Sequence, residues 1–317
     1  MKQTTLLAAL LLVGSSLFAA DPQLLSMAPS DATSYAGINV TQAKTSQFGQ
    51  FLLNNIPQNS SFQEFVTKTG FDPRNDLSEV LLAASLPSTP PVAGASFVTS
   101  GLVLAKGAFN IPKILSTASA DQKVQVSTYA GVQLLTIDGS AALGLIDAST
   151  AVAGDVASVK AALDRRNGSG SAIDASIMAR INQLSTTEDV WSVSSSGLFA
   201  ALPMMGSGAS GSAILQTIQQ TSGGIKFGSN VVVTGQAIAA TSQDAASLGD
   251  VLKLLSSMIT MHSGTGGPPS ELVNVLKNMT VSTDGATLNM SLTVPEDQLE
   301  ALLKMAHGGS LGTGTVI

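Results

Sequence analysis

Two Asp-Gly dipeptides constrain this chain more than any other feature. Asp138-Gly139 and Asp284-Gly285 each fall between two runs of strand-forming residues. A type I′ hairpin turn needs positive φ at both central residues, which Asp and Gly tolerate. Val132–Ile137 and Leu143–Asp147 are therefore expected to form one antiparallel hairpin, and Thr280–Ser282 and Thr287–Val294 a second. Between these hairpins lie stretches whose apolar residues recur every three or four positions. Together they predict an α+β fold built on mainly antiparallel sheet.

The order of elements repeats. The first copy opens with a strand at Tyr35–Val40, then a helix carrying Phe48, Phe51, Leu52 and Ile56. A second helix carries Phe62, Phe65, Val66 and Thr69; Ser61 and Glu64 have capping-box spacing, and Gly70 ends it. Strands at Glu79–Leu86 and Gly101–Lys106 flank a proline-rich loop. A short helix near Ile111–Ala118, the first hairpin, and a helix with Val156, Val159 and Leu163 follow. A joining helix holds Ile177, Ile181 and Leu184.

The second copy starts at Val190–Ser194, with helical stretches near Leu198–Met205 and Ser212–Thr221. Strands are expected at Ile225–Val233 and Gly235–Ala240. A helix follows with Leu248, Val251, Leu252, Leu255, Met258 and Ile259 on one face, and another with Leu272, Val275, Leu276 and Met279. The second hairpin and a closing helix with Leu299, Leu302 and Leu303 complete it. Two similar lobes result, 21–185 and 186–307, each a sheet with helices on one face, as in an internal duplication; a tail spans 308–317. The alternative is a single α+β domain whose order repeats by chance.

Residues 1–20 read as a secretory leader: Lys2, the apolar run Leu6–Val13, the breakers Gly14, Ser15 and Ser16, and small Ala19 and Ala20. The run is too short for a permanent membrane anchor. Cutting after Ala19 leaves Leu17 three residues back from the cut, and cutting after Ala20 leaves Phe18 there. The chain is expected to work outside the cytoplasm, in the periplasm or beyond.

Composition narrows the chemistry. Only 11% of residues are charged, and the net charge is −6. Nucleic acid and anionic membrane surfaces both demand a basic patch, so neither is an expected partner. The absence of cysteine excludes thiol nucleophiles, redox pairs, cysteine zinc sites and a cysteine-linked lipid anchor.

No G-x-S-x-G elbow, H-E-x-x-H pair or EF-hand pattern occurs. His262 and His307 are the two histidines, and His307 suits the end of a helix better than a triad. Gly206, Gly208 and Gly211 match G-x-G-x-x-G, yet no strand precedes them and no acid follows at the needed distance. Met258, Met261 and His262 share one side of a helix and form the candidate metal set, for cuprous copper; the competing expectation is core packing and a helix cap. Glu188-Asp189 and Glu296-Asp297 are the acid pairs, and Trp191, the single tryptophan, is expected in a core strand. No catalytic set, and no cofactor, is implied. The chain is expected to be a non-catalytic scaffold or interaction protein whose partner is another exported protein. The alternatives are a carrier of a hydrophobic ligand and a carboxylate-dependent hydrolase.

One stretch carries a resemblance. L-V-L-A-K-G-A-F-N at Leu102–Asn110, Y-A-G-V at Tyr129–Val132, L-I-D-A-S-T-A-V-A-G-D at Leu145–Asp155, V-K-A-A-L-D-R-R at Val159–Arg166 and D-V-W-S-V at Asp189–Val193 are similar to a loose group of uncharacterised bacterial exported proteins. The group's pattern is a strand ending in G-K-F, a Y-x-G turn, a T-A-V-x-G strand and a V-x-x-A-L-D helix; here K-G-A-F at Lys106–Phe109 replaces G-K-F. The resemblance implies an exported α+β domain and no activity.

Overall fold

The computed structural model describes residues 19–56, 59–85, 100–168, 172–195, 216–261 and 270–309. The elements run α1 (Pro22–Met27), β1 (Ser34–Asn39), α2 (Val40–Ala43), α3 (Gln47–Asn54), α4 (Ser60–Thr69), α5 (Pro73–Asp76), β2 (Leu77–Ser85), β3 (Ser100–Gly107), α6 (Ile111–Ala120), β4 (Val124–Tyr129), β5 (Val132–Ile137), β6 (Ala141–Asp147), β7 (Thr150–Asp155), α7 (Val156–Arg166) and α8 (Ala175–Thr187). Then come β8 (Val190–Ser194), β9 (Ile218–Lys226), β10 (Asn230–Ala239), α9 (Ser242–Met261), α10 (Ser270–Leu276), β11 (Met279–Asp284), β12 (Thr287–Pro295) and α11 (Glu296–Gly309).

The α+β class holds, with a large antiparallel sheet. Instead of a separate sheet for each half, one 12-stranded sheet runs β11-β12-β10-β9-β8-β1-β2-β3-β7-β6-β5-β4. The halves join because β1 and β8 pair antiparallel, Gly37 opposite Trp191 and Ala36 opposite Ser192. Each strand would otherwise present an unpaired edge.

Helices cover both faces rather than one. On the front, α1, α7 and α8 bury Leu24, Met27, Val159, Leu163 and Ile181 against Leu81, Leu104, Leu134, Val152 and Val193. On the back, α6 packs Ile114 and Ala118 on Leu135, Leu145 and Ala151. Farther along the back, α9 packs Ala245 and Leu248 on Ala237, Ala239 and Leu288. The physical reason is local: Leu134 and Leu135, or Ala151 and Val152, are consecutive apolar residues, and consecutive strand residues point to opposite faces.

Turn chemistry decides the remaining differences. The first Asp-Gly hairpin is as expected: Asp138 and Gly139 both have positive φ, and the Ser140 amide donates to the Ile137 carbonyl. At the second, Asp284 stays in β11 opposite Thr287, and Gly285 alone among the turn residues takes positive φ. Ala130 and Gly131, both at positive φ, form the Y-x-G turn that the resemblance implied; the strand before it, β4, which makes this a hairpin with β5, was not expected from the sequence. The helix expected over Ser212–Thr221 is overturned where it is described: Ile218 onward is β9. The strands around it part at Phe227–Ser229, not Thr234. Asn59, not Ser61, caps α4, accepting from the Phe62 amide; Gly70 ends that helix in the left-handed conformation as expected. Met279, placed on a helix by spacing, begins β11. Leu198–Met205 and the glycines 206, 208 and 211 lie outside the described residues.

Tyr35 illustrates how tightly the front is packed. Its hydroxyl donates to the Pro29 carbonyl at 2.6 Å, and burial together with the nearby Asp31 charge pushes its pKa up to about 12. An unfolded tyrosine ionises near 10. The folded state thus favours the neutral phenol, so the associated stability is intact below about pH 10 and lost as pH rises towards 12. Urea midpoints across that window are expected to fall, by up to about 2–3 kcal/mol from this residue. A Tyr35→Phe chain is expected to show a smaller fall.

A half-open apolar strip as candidate functional site

The register of the ladder places one continuous row of side chains across the back face. It reads Ala153, Val103, Leu82, Ala36, Ser192, Gly223, Gly235 and Met290, each opposite the next on a neighbouring strand. The adjacent row reads Ala105, Val80, Ile38, Val190, Ile225, Val233 and Leu292. Nearly every position in both rows is apolar.

These rows lie between α6 on one side and α9 on the other. Leu82 is 40% exposed and Val103 is 38% exposed, although they face each other near the middle of a twelve-stranded sheet. Val80, Ile38, Val190, Ile225, Val233 and Met290 are half-buried. Val231 packs fully inward; Val233, two residues on along the same face, opens onto the strip. Where Gly223 and Gly235 leave out side chains, the strip deepens into a hollow of about 300 Å³ bordered by Val190, Trp191, Ile225, Val233 and Met290. A Cβ at Gly223 would collide with the Thr234 carbonyl oxygen, so close strand approach requires that glycine.

The front face of the same second-half strands is polar. Thr234, Gln236, Thr280, Ser282, Asn289 and Ser291 line it beside Arg180, with Gln236 Nε2 donating to Asn289 Oδ1 at 3.0 Å. A polar face turned to solvent is ordinary in antiparallel sheet; the open apolar face is the unusual one.

Several acids are tied into the structure, whereas Glu188 Oε2 and Glu296 Oε1 are buried without a hydrogen-bond partner. Asp189 is buried; its carboxylate accepts from Lys226 Nζ at 2.8 Å and from the Phe227 amide at 2.7 Å. Glu188 lies over Gly224, and burial raises its pKa. Glu296 and Asp297 open α11, where burial raises Glu296. Asp21 and Glu79 lie near each other across α1 and β2. Asp21 Oδ1 caps α1 through the Gln23 and Leu24 amides, its own amide donates to Glu79 Oε1 at 2.9 Å, and Lys106 Nζ stands 3.5 Å from its other oxygen. Burial raises Glu79.

Among the described residues, no group of three or more His, Asp or Glu could hold a metal ion. Of the candidate copper set, Met258 is 47% exposed instead of continuing the buried stripe of α9. Met261 closes α9, and His262 lies outside the described residues. Trp191 is a buried strand residue, as expected. Among the described residues, no helix is long and apolar enough to cross a membrane.

The whole arrangement has relatives in shape. Crystal form III of TP0453 superposes with a TM-score of 0.51 and 10% identity, over 90% of this chain and 99% of that one. Crystal form IV gives 0.50 and 9%, over 88% and 95%. At that identity the likeness shows the fold alone. No known family and no curated protein matches the chain.

Proposed function

We propose that this is an exported, non-catalytic binding protein that works through the open apolar strip, its partner being another exported protein. The observation that carries this is the pairing of half-exposed Leu82 and Val103 within the first of two adjacent apolar rows. Apolar area left in water is unfavourable by roughly 25 cal/mol per Å², so a surface of this kind signals something that covers it. The structural hydrogen bonds of Asp189, Asp21 and Glu79 support a role without turnover. The two halves, meeting at β1 and β8, fit an internal duplication, each with its first strand at the joint.

A second use has its own observation. The hollow above Gly223 and Gly235 suits the chain of an apolar small molecule. One experiment separates the two. A photo-cross-linker at Leu82 and a control cross-linker at Thr280, on the polar face, are compared in the exporting cell. A protein adduct at Leu82 and none at Thr280 is the expected result; equal labelling sinks the proposal. With the cross-linker kept at position 82, Val103→Glu is expected to abolish the adduct while the fold persists, its side chain being partly solvated already. Gly235→Val fills the hollow, since its Cβ meets chiefly the flexible end of Met290. If a co-purifying apolar molecule is lost in Gly235→Val and no protein adduct forms at Leu82, the carrier role prevails.

A further inference from the structure

Resting on the export proposed above, we infer that leader removal cuts the Ala19–Ala20 bond and that Glu79 and Asp21 form the seat for the new amino terminus. Burial changes abruptly at this bond. Ala19 is exposed, whereas Ala20 is 5% exposed and belongs to the same core as Leu24, Leu25 and Met27. A cut after Ala20 would strip a packed residue from that core. It would also leave Phe18, bulkier than Leu17, at the position where a leader peptidase prefers a small side chain.

The residues after the bond are fastened independently of anything before it. The Asp21 amide reaches Glu79 on β2 at 2.9 Å, and Lys106 Nζ on β3 donates to Gln23 Oε1 at 2.6 Å. Farther along α1, Arg165 Nε donates to the Met27 carbonyl at 2.9 Å. A six-residue helix has no stability of its own, so these ties and the burial of Leu24 and Met27 hold it. Ala19, Asp21, Glu79 and Lys106 line one shallow pocket, so the new end emerges among them.

The chemistry is hydrolysis. Water adds to the Ala19 carbonyl, the C–N bond breaks, and Ala19 departs as a carboxylate on the leader. The Ala20 amine takes up a proton at neutral pH. A cation then stands one residue from the hydrogen bond that Glu79 already accepts, beside the Asp21 carboxylate and with Lys106 as the one opposing charge among those four pocket residues. Glu79, half-buried and already near Lys106, gains a further opposite charge that the uncut chain lacks.

Two measurements test this. Intact mass of the protein recovered from the exported fraction is expected to begin at Ala20. A start at Asp21 or elsewhere overturns the bond assignment, and an uncut chain retained in the cytoplasm overturns both the assignment and the export proposal. The seat is tested without any export, on chain 20–317 prepared with a free or an acetylated amine. Glu79→Gln is expected to lower Tm by about 2–4 °C more in the free-amine chain than in the acetylated chain. Equal losses in the two forms overturn the seat and leave the export proposal untouched.

Discussion

Replacing Gly37 by valine is expected to cost about 3 kcal/mol and to expose Trp191. Gly37 stands opposite Trp191 where β1 meets β8, and the indole lies across the space a side chain would need. A Cβ there collides with Cε2, Cζ2 and Nε1 of the ring. Valine is a good strand former, so propensity argues for the change and packing against it; overpacking of a tight core wins, at about 1–3 kcal/mol or somewhat more. Trp191 is the only tryptophan, so its emission reads the joint directly. A red shift together with a lower denaturant midpoint is the expected pair of results. Gly139→Ala is the control: nothing lies within 4 Å of its Cβ position, and only its φ of +71° is strained. It is expected to cost about 1 kcal/mol and leave the emission unchanged. An unshifted spectrum in Gly37→Val means that β1 and β8 are not in this register.

That joint was not legible in the sequence, and the reason is physical. Helices announce themselves locally: Ile177, Ile181 and Leu184 share a face because of the helical repeat, and all three are buried. The Asp138-Gly139 hairpin is equally local. The Ala130-Gly131 turn is just as tight, but alanine at positive φ is rare, so it was legible only through the Y-x-G pattern of the resemblance and not from turn propensity. Around Ile218 the helical spacing of apolar residues loses to the two neighbouring strands that claim the segment, β8 and β10. Which strand edges meet is set by contacts more than a hundred residues apart, and no window of sequence contains both partners. The apolar strip is hidden for the same reason. Its residues come from separate strands, each contributing one or two unremarkable aliphatic side chains, and only the register makes a surface of them.

Asp189→Ala is expected to be as costly as the change at Gly37, through charge in place of volume. Asp189 directly precedes β8 and ties several chain segments at once. Its amide donates to the Ile225 carbonyl and its carbonyl accepts from the Asn39 amide, while its carboxylate holds Lys226 and the Phe227 amide. Alanine keeps the backbone ties and loses the carboxylate. The Phe227 amide is then left without an acceptor, at about 1–3 kcal/mol, and the buried space loses its fit. Lys226 contributes less, because its side chain is 44% exposed and water takes over. The total expected loss is about 2–4 kcal/mol. Lys226→Met acts differently. It leaves a buried carboxylate with one hydrogen bond and no counter-charge, so it too destabilises, although methionine packs well. The two changes combined are therefore expected to cost less than their sum, since once the carboxylate is gone the lysine has no charge to balance. Denaturant midpoints of the two single variants and the double variant measure this coupling. Strict additivity would mean that the pair stabilises nothing jointly, and that Asp189 serves the β9–β10 turn through Phe227 alone.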